Sequence, residues 1–150
     1  CARPDGTLLI GFRNPVPKKK AILVPLLNPA ELLSGQRAKA SFGKPIRLDL
    51  NGLGIRDIVQ RDGQYHIVAG AFGSANKFEL YSWDGQGTPS LLHQWEKHAL
   101  NPEAILALPG NPGFLILTDE GSRSTGGRPC KELPESSRRF RSVLVERAKD

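Results

Sequence analysis

The sequence has few cysteines and no long apolar run. Its two cysteines, Cys1 and Cys130, are too few for a disulfide framework and lack the paired spacing of zinc sites. A single disulfide bridge between them stays open as an alternative. The longest apolar run, 21–27, contains a proline and is far shorter than the ~20 residues of a membrane-spanning helix. A disulfide scaffold and a spanning helix are therefore excluded, while cytoplasm and periplasm both stay open.

Common catalytic motifs are also missing from the sequence. A nucleophile elbow, a phosphate-binding loop and a dinucleotide glycine motif are absent, and the three histidines show no metal-ligand spacing. Nucleic acid is an unfavoured partner, because no aromatic residues are interleaved with the basic ones for stacking and no known reading module is visible. The residues therefore indicate an architecture more clearly than a reaction.

The composition that is present is typical of a folded globular domain. Of the 150 residues, 39% are hydrophobic and 24% are charged. The net charge is +6, and this charge favours an anionic small molecule, including a phosphorylated one, or a protein partner. Five arginines concentrate the positive charge near the C-terminal end: Arg123, Arg128, Arg138, Arg139 and Arg141.

One pattern recurs along the chain. The stretch 101–121, NPEAILALPGNPGFLILTDEG, contains an acidic residue, an apolar run, a Pro/Gly turn, a second apolar run and an acidic exit. The same order recurs over 54–73, and residues 3–15 resemble the later part of a third copy. The entrance carboxylates Asp57 and Glu103 are 46 positions apart. A period of ~40–50 residues built from short strands is typical of propeller blades.

We therefore predict an all-β chain that forms a partial β-propeller of about two and a half blades, each made of four antiparallel strands. The predicted units are an incomplete first blade over 1–54, a complete blade over 55–100 and an incomplete third blade over 101–150. Because propellers close with ~4–8 blades, we expect the rest of a longer chain, or a homo-oligomer, to complete the ring. Four apolar residues are expected on the inter-blade faces that an isolated fragment would expose: Ile58, Ile67, Phe78 and Ile116.

Local patterns predict the individual elements. A short helix is expected over 29–33, with Asn28 as its N-cap and Pro29 at its first position. Residues 101–103 fit a helix start as well as a strand, and only the repeat favours the strand. A Gly, Pro, Ser and Arg-rich segment, 122–139, is expected to be a loop. Six strands are predicted by alternation and flanking turns: 44–50, 55–61, 65–69, 77–83, 90–96 and 140–147.

Four segments carry a resemblance to a known family: LLIGFRNP, NGLGIRD, ELYSWDG, and NPEAI followed by LTDEG. They resemble a bacterial propeller family known only as a domain of unknown function, and the resemblance extends over 4–147. It implies the propeller fold and no activity. More distantly, the acidic residue that opens each inner strand resembles esterase-like phytases and calcium-dependent lactonases, whose propellers hold a divalent ion in the central channel. Where those enzymes have Glu-Gly, this chain has Glu103 followed by Ala104.

Two hypotheses about function follow. The first is a binding or scaffold propeller without chemistry of its own. Its candidate ligand residues lie near the ends of the inner strands: Arg13, Asn14, Arg56, Asp119 and Glu120. The second is a metal-dependent hydrolase of phosphate esters or lactones, in which Asp57 and Glu103 hold a calcium ion. In the alternative interpretation of that pair, the two carboxylates bond to Arg56 or accept backbone N–H groups.

Overall fold

The computed structural model describes residues 1–36, 39–72, 77–96 and 100–146, and it shows an all-β chain with antiparallel sheets. Of the residues, 45% are in strands and 10% in helices, so the expected all-β class is confirmed. Three larger sheets follow one another along the sequence. Within the described ranges, no helix is long and apolar enough to cross a membrane.

The first sheet has the order β1-β2-β3. The predicted helix is confirmed as α1 (Pro29–Leu33), between β2 and β3. The side chain of Asn28 does not cap this helix; its Oδ1 instead accepts the Ser41 N–H at 2.7 Å and fastens the following loop. The strands and a short 3-10 turn before β2 have these bounds: β1 (Leu8–Gly11), the turn (Pro17–Lys19), β2 (Ala21–Leu26) and β3 (Ile46–Leu48).

The second sheet is a four-stranded meander in which each strand pairs with the next one along the chain. The tight turn between its first two strands has positive φ at Asp62 and Gly63, as a two-residue hairpin requires. The predicted pairing of 65–69 with 77–83 is confirmed, with Tyr65 opposite Trp83. The strands are β4 (Gly54–Arg61), β5 (Gln64–Gly70), β6 (Phe78–Trp83) and β7 (Ser90–Trp95).

The third sheet has the order β12-β9-β8. Residues 101–103 lead into a strand, so the repeat correctly decided between strand and helix there. The predicted loop 122–139 is only partly a loop, because it contains a two-stranded ribbon and two 3-10 turns. The elements are β8 (Pro102–Ala107), β9 (Phe114–Thr118), β10 (Ser124–Thr125), β11 (Arg128–Pro129), the turns (Cys130–Glu132 and Glu135–Ser137) and β12 (Ser142–Val145). The predicted segment ends at Gly73 and Arg147 lie outside the described residues.

Two apolar clusters lie between the stacked sheets. Along β5 the side chains alternate, so Ile67 packs into the cluster shared with the first sheet and Val68 into the cluster shared with the third. Both faces of the second sheet therefore carry a buried cluster, whereas its outer strand β7 is exposed except at Trp95. The expectation that the inter-blade residues are exposed is wrong, because neighbouring sheets of the same chain bury Ile58, Ile67, Phe78 and Ile116. The exposed apolar residues of the end sheets lie elsewhere and include Ile10, Leu106 and Leu144.

Candidate functional site

Two inner hairpins share an irregularity at the same place. In the β4–β5 pair the register skips one residue between Ile55 and Asp57, and in the β8–β9 pair it skips one between Pro102 and Ala104. A bulge of this kind inserts one unpaired residue and re-aims its side chain. The inserted residues are Arg56 and Glu103, 47 positions apart. The structural equivalent of Glu103 is therefore Arg56, not the carboxylate of Asp57.

The two bulge residues form an ion pair between the sheets. A guanidinium nitrogen of Arg56, Nη1, bonds to Glu103 Oε1, and its Nη2 donates to the Ala71 carbonyl oxygen at 2.7 Å. The guanidinium also lies 5.3 Å from the centroid of the Phe78 ring, a cation–π distance. The Arg56 side chain is 3% exposed and that of Glu103 is 34% exposed. This buried charge therefore has its counter-charge on the neighbouring sheet.

Other predicted ligand residues surround this pair. Burial lowers the pKa of the Arg56 guanidinium, and the positive charge of Arg13 lowers it further. The negative charges of Glu103 and Asp119 raise it in part. Two backbone contacts bring Arg13 close to Arg56. The Arg13 carbonyl oxygen passes against Gly54, where a side chain would collide with it. The Ile55 N–H donates to the carbonyl oxygen of Phe12, next to Arg13, at 3.0 Å. The structure thus collects three predicted ligand residues and Glu103 at one end of the sheets.

Asp57 has a different environment from Glu103. Its Oδ1 accepts the Ile58 N–H at 2.8 Å, and its Oδ2 accepts the Ile105 N–H from the neighbouring sheet at 2.9 Å. These bonds and the Arg56–Glu103 pair match the alternative interpretation of the two carboxylates, in which they bond to Arg56 or accept backbone N–H groups. No group of three His, Cys, Asp or Glu side chains suited to a metal occurs in the described part of the chain. The calcium site stays a prediction, and calcium calorimetry on the protein and on the variant carrying Asp57→Asn and Glu103→Gln tests it.

A second buried charge lies between the first and second sheets and was missed by the sequence analysis. Glu79 is fully buried; it accepts bonds from Tyr81 Oη, from Lys77 Nζ at 2.9 Å and from Asn51 Nδ2 at 3.3 Å. Burial alone would raise the pKa of Glu79, but the bonds from Tyr81, Lys77 and Asn51 outweigh it and lower that pKa. The strand alternation placed Glu79 on the face opposite to Phe78 and Leu80, but it gave no sign that this face is buried as well. The cluster is self-contained and joins β6 to the turn between the first and second sheets.

The predicted residue Glu120 lies in a pocket of the segment that joins β9 to β12. Its carboxylate is 5% exposed and accepts bonds from Arg141 Nε at 3.0 Å and from Arg123 Nη1 at 3.1 Å. Thr118 Oγ1 lies 2.9 Å from the same carboxylate. Burial would raise the pKa of Glu120, but the bonds from Arg141, Thr118 and Arg123 lower it below its usual value of 4.5. The carboxylate therefore stays ionised and orients two guanidiniums.

The pocket around these guanidiniums has a volume of about 280 Å³, near the lower end of the ~300–1,000 Å³ of small-molecule sites. A third arginine, Arg139, also lines the pocket, and its Nη1 donates to the carbonyl oxygens of Ser136 and Arg138, at 2.8 Å each. We call this cavity the arginine pocket. Its remaining lining side chains are three hydroxyls, one thiol and one phenyl ring: Ser124, Thr125, Ser137, Cys130 and Phe140.

The loop that carries the pocket is fixed by its own bonds. Gly126 and Gly127 have positive φ and make the tight turn of the β10–β11 ribbon. The Cys130 N–H donates to the Arg123 carbonyl at 2.9 Å, and the buried Cys130 thiol bonds to the Arg139 backbone. Both cysteines are free thiols, so the single bridge considered from the sequence does not form. The Gly-Gly pair was the sequence signal for this ribbon.

Of the five predicted ligand residues, Glu120 alone lines the arginine pocket, and Arg13 and Arg56 lie near the Arg56–Glu103 pair instead. Asn14 is exposed in the loop after β1. Asp119 is exposed, its Oδ1 accepts the Gly121 N–H at 2.8 Å, and its backbone bonds to Asn101 at the start of β8. Sequence reasoning noted the arginine-rich segment but assigned only Glu120 from it to a site. Compared with protein-family models, with curated proteins and with solved structures, the chain gives no match.

Proposed function

We propose that this chain is a binding protein whose arginine pocket takes an anionic small molecule. The observation that carries the proposal is the surplus of positive charge: three arginines line the pocket, and it has one carboxylate, that of Glu120, to offset them. Guanidiniums are suited to phosphate and carboxylate groups, because their planar set of donors matches two oxygens at once. The three hydroxyls on the pocket wall supply further donors that an oxyanion accepts.

The buried carboxylate explains why the guanidiniums are pre-oriented. Glu120 fixes the side chains of Arg123 and Arg141 before a ligand arrives, so binding an anion costs less side-chain entropy than it would with free arginines. Arg123 remains about half exposed and can turn toward a ligand. In this arrangement Glu120 acts as the anchor of the arginines and not as a ligand group.

The test is calorimetric titration of the folded chain with inorganic phosphate at low ionic strength. We expect binding, and we expect Arg123→Gln to weaken it by about tenfold, since one charge-assisted hydrogen bond contributes ~1.5–3 kcal/mol before solvent screening. Arg47→Gln is the matched control, because Arg47 is an exposed arginine of β3 in the first sheet. No phosphate binding, or equal weakening by both variants, would refute the proposal.

We also propose that the three sheets are consecutive blades of a propeller, with units at 1–54, 55–100 and 101–150. The consecutive antiparallel sheets, the packing of β4 against β8 and the bulge at matching positions of the two hairpins support it. The remaining blades come from a longer chain or from a second copy. Light scattering on this chain tests self-assembly; a dilute, well-folded monomer with cooperative unfolding would contradict assembly from copies.

A further inference from the structure

We propose that the anion bound in the arginine pocket carries an aromatic ring, as in a phosphate monoester of an aromatic compound, and that this ring packs on Phe140. This inference rests on the proposed function. Phe140 lines the pocket beside the guanidiniums and is 66% exposed. Isolated exposed apolar residues are common on protein surfaces. Phe140 differs from such residues in how its backbone is held and in what lies next to it.

The backbone on both sides of Phe140 is fixed. On one side, the Cys130 sulfur lies 3.3 Å from the Arg139 carbonyl oxygen and 3.4 Å from its amide nitrogen. On the other side, the Arg141 carbonyl oxygen accepts the Thr118 N–H at 3.2 Å. The phenyl ring is thus presented from an anchored segment and loses little backbone freedom when it contacts a ligand.

The pocket then offers two kinds of surface to one molecule. The positive charge of the lining arginines, Arg123, Arg139 and Arg141, attracts the anionic group, and the exposed Phe140 adds an apolar residue to the same lining. A phosphate ion alone leaves that residue in water, whereas an aromatic ester covers it. Aromatic rings pack on one another in offset or edge-to-face geometry and gain more than their buried area alone provides.

The experiment compares three probes by calorimetry: inorganic phosphate, phenyl phosphate and cyclohexyl phosphate. Well above their second pKa of ~6 both esters are dianions of similar size, and only one is aromatic. We expect phenyl phosphate to bind about fivefold more tightly than cyclohexyl phosphate, because a pair of aromatic rings gains more than its buried area alone provides. We expect this preference to disappear in Phe140→Leu and to persist in Phe140→Tyr. Phe42→Leu removes another exposed phenylalanine and is the control that keeps the preference.

Each outcome has a definite meaning. Equal affinities for the two esters in the unmodified protein, or a preference that survives in Phe140→Leu, overturn this inference while phosphate binding leaves the proposed function standing. If phosphate and both esters all fail to bind, the proposed function fails and this inference fails with it. Because Phe140 is exposed, its replacement should not impair folding, and Phe140→Tyr confirms that a loss in Phe140→Leu reflects the missing ring.

Discussion

The ion pair between Arg56 and Glu103 gives the sharpest test of how the second and third sheets are held together. Breaking a buried ion pair by removing one partner costs about 3–5 kcal/mol when both groups are buried. Here Glu103 is 34% exposed, so water reaches one side of the pair. We therefore expect Glu103→Ala to lower the free energy of unfolding by about 2 kcal/mol, below that range.

Arg56→Met removes the buried charge itself. The variant loses the bond to the Ala71 carbonyl and the contact with the Phe78 ring, which together contribute about 1–2 kcal/mol. The chain that carries both substitutions, Arg56→Met and Glu103→Ala, no longer has an uncompensated buried charge. We expect it to be no less stable than Glu103→Ala alone, which corresponds to a coupling energy of about 1–2 kcal/mol.

The assay is equilibrium unfolding in urea, followed by tryptophan fluorescence. Trp83 and Trp95 are both buried, one in each apolar cluster, so the signal reports on both inter-sheet contacts. Glu132→Ala, which truncates an exposed glutamate, is the control. The reasoning is refuted if Glu103→Ala is no more destabilising than this control, or if the two substitutions are additive.

Two further predictions concern stability. In the folded state the pKa values of Glu79 and Glu120 lie below their usual value of 4.5, so their contribution to stability is complete above pH 4.5 and is lost as the pH falls through the lowered values. Acid titration followed by circular dichroism should show this loss, and Glu120→Gln should make the pH dependence less steep. A stability that does not depend on pH would contradict this prediction. Ile116→Ala should destabilise by about 2–5 kcal/mol because it leaves a cavity between two sheets. Leu33→Ala, at a residue that is 90% exposed, should be nearly neutral, and equal effects would argue against the described packing.

The strands could be predicted because their signals are local. Alternation of side chains along β5 and β6, together with the Asp-Gly turns, identifies strand and hairpin within a few residues. The alignment of the two copies was less reliable, because it placed one acidic residue, Asp57, opposite another, Glu103. In the structure each hairpin has a one-residue bulge, and the bulge residue that corresponds to Glu103 is Arg56. Arg56 also carries the charge that pairs with Glu103.

The arginine pocket could be predicted only in part. The excess of arginine near the C-terminal end was visible in the sequence, and the Gly126-Gly127 pair indicated a tight turn. The burial of Glu120 could not be predicted, because it depends on contacts with Thr118 at the end of β9 and with Arg141 just before β12. Contacts between residues more than 20 positions apart have no local pattern.

The Arg56–Glu103 pair and the arginine pocket differ in the charge that they leave unpaired, and that difference supports the proposed binding site. At the bulges, Arg56 and Glu103 neutralise each other and the guanidinium is almost completely buried, so the pair has little charge left for a ligand. In the arginine pocket, Glu120 bonds to the guanidiniums of Arg123 and Arg141, a third arginine lines the cavity, and the cavity is open to solvent. Positive charge that the fold itself does not neutralise attracts anions from solution. The balanced pair therefore joins the second and third sheets, and the unbalanced charge of the connecting segment supports the proposed anion site.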